Sequence, residues 1–455
     1  MRQSLMNTFD QLYFIDLHGN SLKKETTPDG SKDENVFDIK QGVCISILIK
    51  RRGLKKGIFH TAFWGGRDMK FKLCLENSIN TVEFNELKPN SPLYMFVTQN
   101  QEFRKKYSEF WSLKEIFNLN SVGIVTGIDS IFIDFEEQIL QKKIWEKYKE
   151  YNKEFVAQIL YRPFDVRVLY YDANKIERAR KDVMINFKES NIGLISLRRS
   201  RSQKEWNFSF VSKFIIAGAT AITSMDINYF YPLYILKNGV EKEFYGVAEP
   251  RVYYSAIKED EPKFTKIENF KPEFRNFIDN KYKKYYTPEQ ILGYIYAILY
   301  SKSFRKKYSE FLKMDFPRIP FVDDNKIFEK LSKLGKQLYE NHLNPIDDSN
   351  KEYKEVGVYK GVGDNIVIKP ELKTEIVDNK RHYRLYINKT QYFETITDEI
   401  YNFRIGGYTV IEKYIKDRKG MDFYKYFPQV ENIIKTIAFT IKQMNKIENL
   451  ISNII

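Results

Sequence analysis

Apolar residues near the amino terminus follow first a helical spacing and then the pattern of buried strands. "RQSLMNTFDQ" predicts a short amphipathic helix, and "LYFIDL" (12–17) predicts a buried strand that ends in a polar loop at 18–35. "GVCISILIKR" (42–51) is almost continuously apolar, which predicts a strand covered on both faces, and "GIFHTAFWG" (57–65) predicts another. These segments predict one end of an α/β sheet.

The middle of the chain alternates strand-like and helical segments. "VGIVTGIDSIFIDF" (122–135) has a β-type apolar pattern, and a helix rich in Lys and Glu is predicted over 136–158. "YRPFDVRVLYYD", "IGLISLRRSRSQ", "NFSFVSKFI" and "YFYPLYIL" follow as further strand-like segments. The middle region is therefore predicted to be mixed α/β.

From residue 266 onward the spacing becomes mainly helical. In "TPEQILGYIYAILYSKSFRKKYSEFL", Thr287 is the predicted N-cap and Pro288 the first helical residue. "IFEKLSKLGKQLYENH" (327–342) predicts a second long helix, and a β-type patch precedes the closing helices. The chain as a whole is predicted to be mixed α/β. The changes of pattern divide it into residues 1–75, 76–120, 121–265, 266–345 and 346–455.

The composition favours a basic protein that works in a reducing compartment. Lys and Arg number 74 against 60 Asp and Glu among 455 residues, a net charge of +14. Such an excess suits a polyanionic partner, although an AT-rich genome that encodes Lys freely also explains it. Cys44 and Cys74 are the two cysteines, and the four histidines are scattered, so no zinc ribbon or other metal site is predicted.

Neither a signal peptide nor a membrane-spanning segment is predicted. No apolar run reaches about 18 residues, and "MRQSLMNTFD" lacks the apolar core of a signal peptide. The sequence therefore predicts a cytoplasmic protein with no membrane partner.

Two arginine clusters are the main candidates for contact with nucleic acid. The first, in "SLRRSRSQKEW" (196–206), supplies forked donors, hydroxyl groups and an amide from Arg198, Arg199, Arg201, Ser202 and Gln203. Arg can pair with guanine O6 and N7, and Gln with adenine N6 and N7. In the second, "IERARKD", Arg178 and Arg180 point the same way if the backbone is extended, which suits phosphate contact. A solvated basic loop is the alternative for the first cluster.

Several long segments resemble type ISP and type IIG restriction–modification enzymes. "RQSLMNTFDQLYFIDLHGNSLKKETTPDGSKDENVFDIKQGVCISILIKR" resembles the second half of their methyltransferase domain. "YRPFDVRVLYYD", "IERAR" and "YFYPLYIL" resemble their recognition region, and the likeness continues in "YTPEQILGYIYAILYSKSFRKKY", "YINKTQYFETITDEIYNF" and "RIGGYTVIEKYIKDRKG". The resemblance implies a partial methyltransferase sheet (1–75), a connector (76–120), an α/β target-recognition domain (121–265), a helical region (266–345) and a C-terminal α/β specificity region (346–455).

The resemblance also implies a DNA methyltransferase that acts on adenine N6 and uses S-adenosylmethionine in the complete enzyme. Neither the glycine-rich cofactor loop nor the Asn/Asp-Pro-Pro-Tyr/Phe motif of the family occurs in this sequence, where Asn344-Pro345 is followed by Ile346. We therefore expect this chain alone to bind no cofactor and to carry no catalytic residue. The expected partners are double-stranded DNA and the N-terminal methyltransferase and helicase–nuclease half of such an enzyme.

An enzyme that methylates adenine N6 must flip the base out of the duplex, and an aromatic face then replaces the lost stacking. By resemblance, the aromatic residue that precedes "GVCISILIKR" in related enzymes corresponds to Phe37, and a core Phe that anchors its loop is the alternative. Lys23 and Lys24 in the preceding loop either contact phosphate or are solvated.

Three functions fit these residues. The first is the DNA-recognition portion of such an enzyme, inactive alone, and the second is one half of a split methyltransferase that is active with a partner encoded upstream. A decayed gene product with no role is the third.

Overall fold

The chain forms two compact units in a computed structural model. The structure describes residues 1–21, 25–91, 94–97, 101–187, 190–202, 205–238, 252–253, 264–377 and 380–451. The N-terminal unit comprises Met1–Lys105 with Arg201–Lys204, and the C-terminal unit comprises Lys106–Ser200 with Glu205–Ile455. The division into five parts made from the sequence stays a prediction.

The N-terminal unit is built on a four-stranded sheet in the order β2-β1-β3-β4. Its elements are α1 (Arg2–Thr8), β1 (Gln11–His18), β2 (Val43–Ile49), β3 (Gly57–Ala62), α2 (Arg67–Glu76) and β4 (Asn85–Glu86). β1 pairs with β2 in an antiparallel ladder and with β3 in a parallel ladder. Leu12, Phe14, Ile58 and Leu87 form the core of one face. The predicted helix and the predicted strands at 12–17 and 57–65 are confirmed.

The prediction that the apolar run at 42–51 is covered on both faces is wrong. Cys44, Ile45 and Ser46 of β2 are exposed. β2 lies at the edge of the sheet and pairs with β1 alone among the described residues. Its apolar side chains therefore lack the covering layers that the sequence pattern indicates.

The first part of the C-terminal unit consists of small sheets with short helices between them. The helix α3 (Gln101–Ser108) contains the division between the units. The elements that follow are β5 (Trp111–Ser112), α4 (Leu113–Ile116), β6 (Ser121–Val122), α5 (Asp129–Phe132), β7 (Ile133–Asp134), α6 (Glu137–Tyr148), β8 (Val156–Arg162), β9 (Asp165–Tyr170), α7 (Lys181–Met184), β10 (Gly193–Leu197), β11 (Ser209–Ser212), β12 (Ile215–Ile216), β13 (Asn228–Pro232), β14 (Tyr234–Asn238), β15 (Val252–Tyr253) and β16 (Phe264–Glu268). Three sheets result, with the strand orders β11-β10-β13-β6, β12-β8-β9-β7 and β14-β16-β15.

The second part of the C-terminal unit is mainly helical. Its elements are α8 (Pro272–Tyr282), α9 (Pro288–Tyr300), α10 (Lys302–Lys307), α11 (Ser309–Leu312), β17 (Arg318–Ile319), α12 (Asn325–Leu343), β18 (Tyr359–Lys360), β19 (Glu371–Val377), β20 (Lys380–Tyr386), β21 (Tyr392–Phe393), α13 (Asp398–Tyr401), β22 (Arg404–Ile405), β23 (Tyr408–Thr409), α14 (Val410–Lys416) and α15 (Phe427–Ile451). The predicted cap of α9 is confirmed. The Gln290 N–H donates to Thr287 Oγ1 at 3.3 Å, and Gln290 Oε1 accepts the Thr287 N–H at 2.9 Å.

Two predictions for the middle region are wrong. The segment 122–135 contains strand only at its two ends, with α5 between them. The helix predicted over 136–158 ends at Tyr148, because Lys149 adopts a left-handed conformation with φ of 57°. The residues from Val156 onward instead enter the β8–β9 hairpin, where Ile159 and Leu160 are buried. Tertiary burial in that hairpin outweighs the helical pattern of the sequence.

Candidate nucleic-acid interface

An open cleft of about 450 Å³ in the C-terminal unit contains the second arginine cluster. Its lining residues are Leu119, Asn120, Ser121, Arg178, Ala179, Arg180, Lys181, Asp182 and Val183. Arg178 lies on an extended segment whose backbone exchanges hydrogen bonds with Val125 at 2.9 and 3.0 Å. Arg180 is left-handed, with φ of 54°, so the extended backbone assumed from the sequence ends there. Both arginines nevertheless line one cleft.

The cleft is positively charged, and a hydrogen bond from Tyr171 holds part of its wall in place. The lining contains the three cationic side chains of Arg178, Arg180 and Lys181 and the single carboxylate of Asp182. The carboxylate of Glu177 lies 3.4 Å from Arg178 Nε. The Tyr171 hydroxyl donates to the Ala179 carbonyl at 2.7 Å, and burial raises the pKa of Tyr171 to about 12. The buried Arg180 Nε has no hydrogen-bond partner in the described part of the chain. An excess of cations in the lining suits an anionic ligand such as a phosphate group.

The first arginine cluster begins where a buried strand ends. All five residues of β10 are buried, so the strand delivers Arg198 and Arg199 to the surface at a defined place. Arg198 Nε donates to Asp315 Oδ1 at 3.1 Å. Arg199 is exposed and makes no hydrogen bond or ion pair with any described residue. Asp315 was not a candidate from the sequence, because it lies 117 residues further along the chain.

The rest of that cluster belongs to the other unit. Arg201 is exposed and Ser202 half-buried, and both fall in the N-terminal unit. Gln203 lies outside the described residues. The four described side chains of this cluster are thus divided between two units.

Phe37 is exposed, so it is not a core residue that anchors its loop. Its side chain is 56% exposed, while its backbone N–H donates to Asn35 Oδ1 at 2.9 Å. Asn35 Nδ2 donates to the Gly19 carbonyl at 3.1 Å, and Arg67 pairs with Asp38 at 2.7 Å. These polar contacts hold the loop while the aromatic ring faces solvent. Lys23 and Lys24, the other candidates of this unit, lie outside the described residues.

A buried ion pair supports the same loop and carried no signal in the sequence. Lys70 and Asp33 have fully buried side chains with Nζ and Oδ1 2.7 Å apart. Lys70 Nζ also donates to the carbonyls of Leu17 and Glu34, both at 2.7 Å. The Asp33 carboxylate in turn accepts the Gly19 N–H at 2.7 Å. The pair thereby joins the end of β1 to the loop that carries Phe37.

The glycine pair between β3 and α2 does not fit a cofactor loop. Strand-to-helix turns bind cofactors through free backbone amides, but here the protein's own carboxylates take them. The Gly65 N–H donates to Asp33 at 2.8 Å, and the Arg67 N–H after Gly66 donates to Glu34 at 3.2 Å. The backbone amides of Gly65 and Arg67 are therefore already used within the protein.

No metal site or membrane helix is found in the described ranges. Among these residues, His, Cys, Asp and Glu form no group of three or more that could hold a metal ion. No helix within the same ranges is long and apolar enough to cross a membrane.

The fold is that of solved restriction–modification enzymes. It matches a nuclease-deletion mutant of the type ISP enzyme LlaGI in complex with a DNA substrate mimic (TM-score 0.66, 17% identity) and the ATP-dependent type ISP enzyme LlaBIII bound to DNA (0.69, 19%). It also matches a DrdV–DNA complex (0.69, 16%). Each match covers 98% of this chain but only 37%, 31% and 48% of the other chain, respectively. The chain thus spans about a third to a half of these structures. No curated protein matches it.

The family follows from the sequence match. Residues 145–446 match the model of the type ISP C-terminal specificity domain. The chain belongs to this family, which confirms the resemblance and the mixed α/β fold class expected from the sequence. The matched range contains both arginine clusters.

Proposed function

We propose that this chain reads a specific DNA sequence for a restriction–modification enzyme that methylates adenine N6. Its membership of the specificity-domain family over residues 145–446 carries the proposal. The DNA-bound states of LlaGI, LlaBIII and DrdV support double-stranded DNA as the ligand. The net charge of +14 supports the same ligand, because phosphate contacts dominate affinity for DNA.

Recognition of DNA by this chain uses two kinds of contact, one to the phosphate backbone and one to the bases. The cleft around Arg178, Arg180 and Lys181 presents several cations, so it binds the phosphate backbone and sets the register. Arg198 and Arg199, at the end of a buried strand, are placed to reach base edges or adjacent phosphates. In the N-terminal unit, Phe37 stacks on the adenine once it is flipped from the duplex.

Arg178→Ala combined with Arg180→Ala is expected to weaken DNA binding by about the same factor for every sequence. Each neutralised phosphate contributes about 0.9 to the slope of log K against log salt, so the slope should fall by roughly 2. Binding to a fluorescent duplex over a salt series measures both quantities. Lys330→Ala with Lys333→Ala removes the same charge from the exposed face of α12 and serves as the control. An equal loss in the control would contradict the assignment of the cleft.

The chain alone is expected to transfer no methyl group from S-adenosylmethionine to DNA. These residues contain neither the cofactor loop nor the Pro-Pro motif, and loss of one group that stabilises a transition state already costs about 10²–10³ in rate. Incubation of the purified chain with labelled S-adenosylmethionine and plasmid DNA tests this. Labelled DNA above the level of a sample without protein would refute the expectation.

A split enzyme is the second candidate, and the surface of the N-terminal unit favours it. Large apolar side chains are exposed there: Ile39, Ile45, Met69, Phe71 and Leu75. β2 also offers an unpaired edge among the described residues, which is an aggregation liability unless another strand covers it. An upstream-encoded methyltransferase half would supply such a strand together with the cofactor loop.

Adding the upstream-encoded product should then restore methyl transfer. In that mixture Phe37→Ala should slow transfer, because no ring stacks on the flipped adenine, while Phe37→Tyr should retain most of the rate. As isolated chains, the two Phe37 variants should bind DNA with the same affinity. If the mixture is inactive and the two proteins do not associate, the split-enzyme candidate fails and the recognition module stands alone.

A further inference from the structure

A segment far along the chain holds Arg198 in one orientation. Asp315 accepts a hydrogen bond from Arg198 Nε at 3.1 Å, and the guanidinium carbon lies 5.7 Å from the centre of the Phe316 ring. The Ser200 N–H donates to the Lys313 carbonyl at 3.1 Å, which ties the backbone after Arg198 to the same segment. The side chain is thus oriented before any ligand arrives, although 55% of it is exposed.

This arrangement leaves the Nη1 and Nη2 edge of the guanidinium without a carboxylate partner among the described residues, while the Tyr229 hydroxyl lies beside the same group. Nε points to Asp315, and no carboxylate among the described residues takes a hydrogen bond from Nη1 or Nη2. Two parallel donors are what guanine O6 and N7 require in the major groove. An arginine fixed through Nε therefore presents the geometry of a guanine contact at low cost in side-chain entropy.

The partner of Arg198 also disfavours a phosphate contact. Asp315 is 40% exposed and carries a negative charge beside the guanidinium, so it would repel a phosphodiester that approached from the same side. A base edge carries only partial charges, so the same carboxylate repels it far less than it repels a phosphodiester. Arg199 is a natural comparison, because it is also exposed but has no partner among the described residues.

We infer that Arg198 reads a guanine of the recognition sequence and that Asp315 is its positioning residue. The inference rests on the proposed function, since it requires that the chain binds DNA sequence-specifically. Arg199, which lacks a carboxylate partner, contacts the phosphate backbone instead. The recognised sequence then contains at least one G·C pair whose identity depends on both Arg198 and Asp315.

Selection of bound duplexes from a randomised library, at fixed salt, tests the inference with the full chain. The wild-type protein should enrich one sequence, and Arg198→Ala should lose the preference at a single G·C pair by roughly 5- to 150-fold. Arg198→Lys keeps the charge but not the fork, so it should lose the same preference while overall affinity changes less. Asp315→Ala should weaken the preference at the same pair, and Asp315→Glu should restore part of it.

Arg199→Ala is the matched control and should keep the selected sequence while binding all duplexes more weakly. Replacing the guanine of that pair by 7-deazaguanine should weaken wild-type binding but not binding by Arg198→Ala. A uniform loss with Arg198→Ala, without a change in the selected sequence, would overturn the inference and leave DNA recognition intact. An unchanged preference in Asp315→Ala would overturn the positioning role. A wild-type chain that enriches no sequence would overturn the proposed function itself.

Discussion

Asp33→Asn is expected to lower the opening free energy of the N-terminal sheet by about 3–5 kcal/mol, because it leaves the buried Lys70 ammonium without a counter-charge. Lys70 is completely buried, and its carbonyl acceptors carry only partial charge. The Gly19 and Gly65 N–H groups donate to different oxygens of Asp33, and an asparagine keeps only one of these acceptors, so the variant loses the charge and one of these hydrogen bonds. Hydrogen exchange of the β1 and β3 amides measures the effect within this unit.

Two further variants test whether the loss of stability comes from the unpaired charge of Lys70. Combining Asp33→Asn with Lys70→Met removes both charges and should recover part of the loss, since paired apolar replacements are tolerated better than a single unpaired ion. Lys32→Met breaks the exposed pair with Glu34 and should change the opening free energy little, because solvent screens this pair. A change below 1 kcal/mol for Asp33→Asn would show that Lys70 reaches solvent or another anion, contrary to the structure.

Gly335→Ala is expected to destabilise the C-terminal unit by about 3 kcal/mol, because α12 and α9 touch through their backbones at this residue. A Cβ on Gly335 would lie 1.9 Å from the Gly293 carbonyl oxygen and 2.8 Å from the Ala297 nitrogen. Backbone atoms cannot rotate away as a side chain does, so the helices must separate. α9 is almost entirely buried and packs against the buried face of α12, so their separation would expose this apolar contact.

Urea unfolding followed by far-ultraviolet circular dichroism measures this loss. Lys333→Ala, two residues earlier on the exposed face of α12, is the control and should change stability by less than about 0.5 kcal/mol. Alanine favours helix more than glycine, so propensity alone predicts that Gly335→Ala stabilises the protein. A stabilised variant would therefore show that the two helices are not in close backbone contact.

Local sequence patterns were sufficient to predict the structure where the interacting residues are close in sequence. The Thr287 cap and the strand at 12–17 depend on hydrogen bonds and burial patterns spanning a few residues, and both are confirmed. Arg178 and Arg180 line the same cleft because they are close in sequence, although the left-handed backbone at Arg180 was not predicted. The predicted helix over 136–158 is wrong beyond Tyr148, and its last three residues instead pair with residues 168–170.

The sequence by itself determined the class of protein, through the family signature over residues 145–446, the basic charge and the arginines themselves. Only the tertiary structure decided which of those arginines have partners. Asp315 reaches Arg198 across 117 residues, and Lys70 reaches Asp33 through a buried contact between a helix and a loop. The physical reason is that chain folding, not local spacing, brings distant charges together, and a charge acts on DNA according to the groups that surround it.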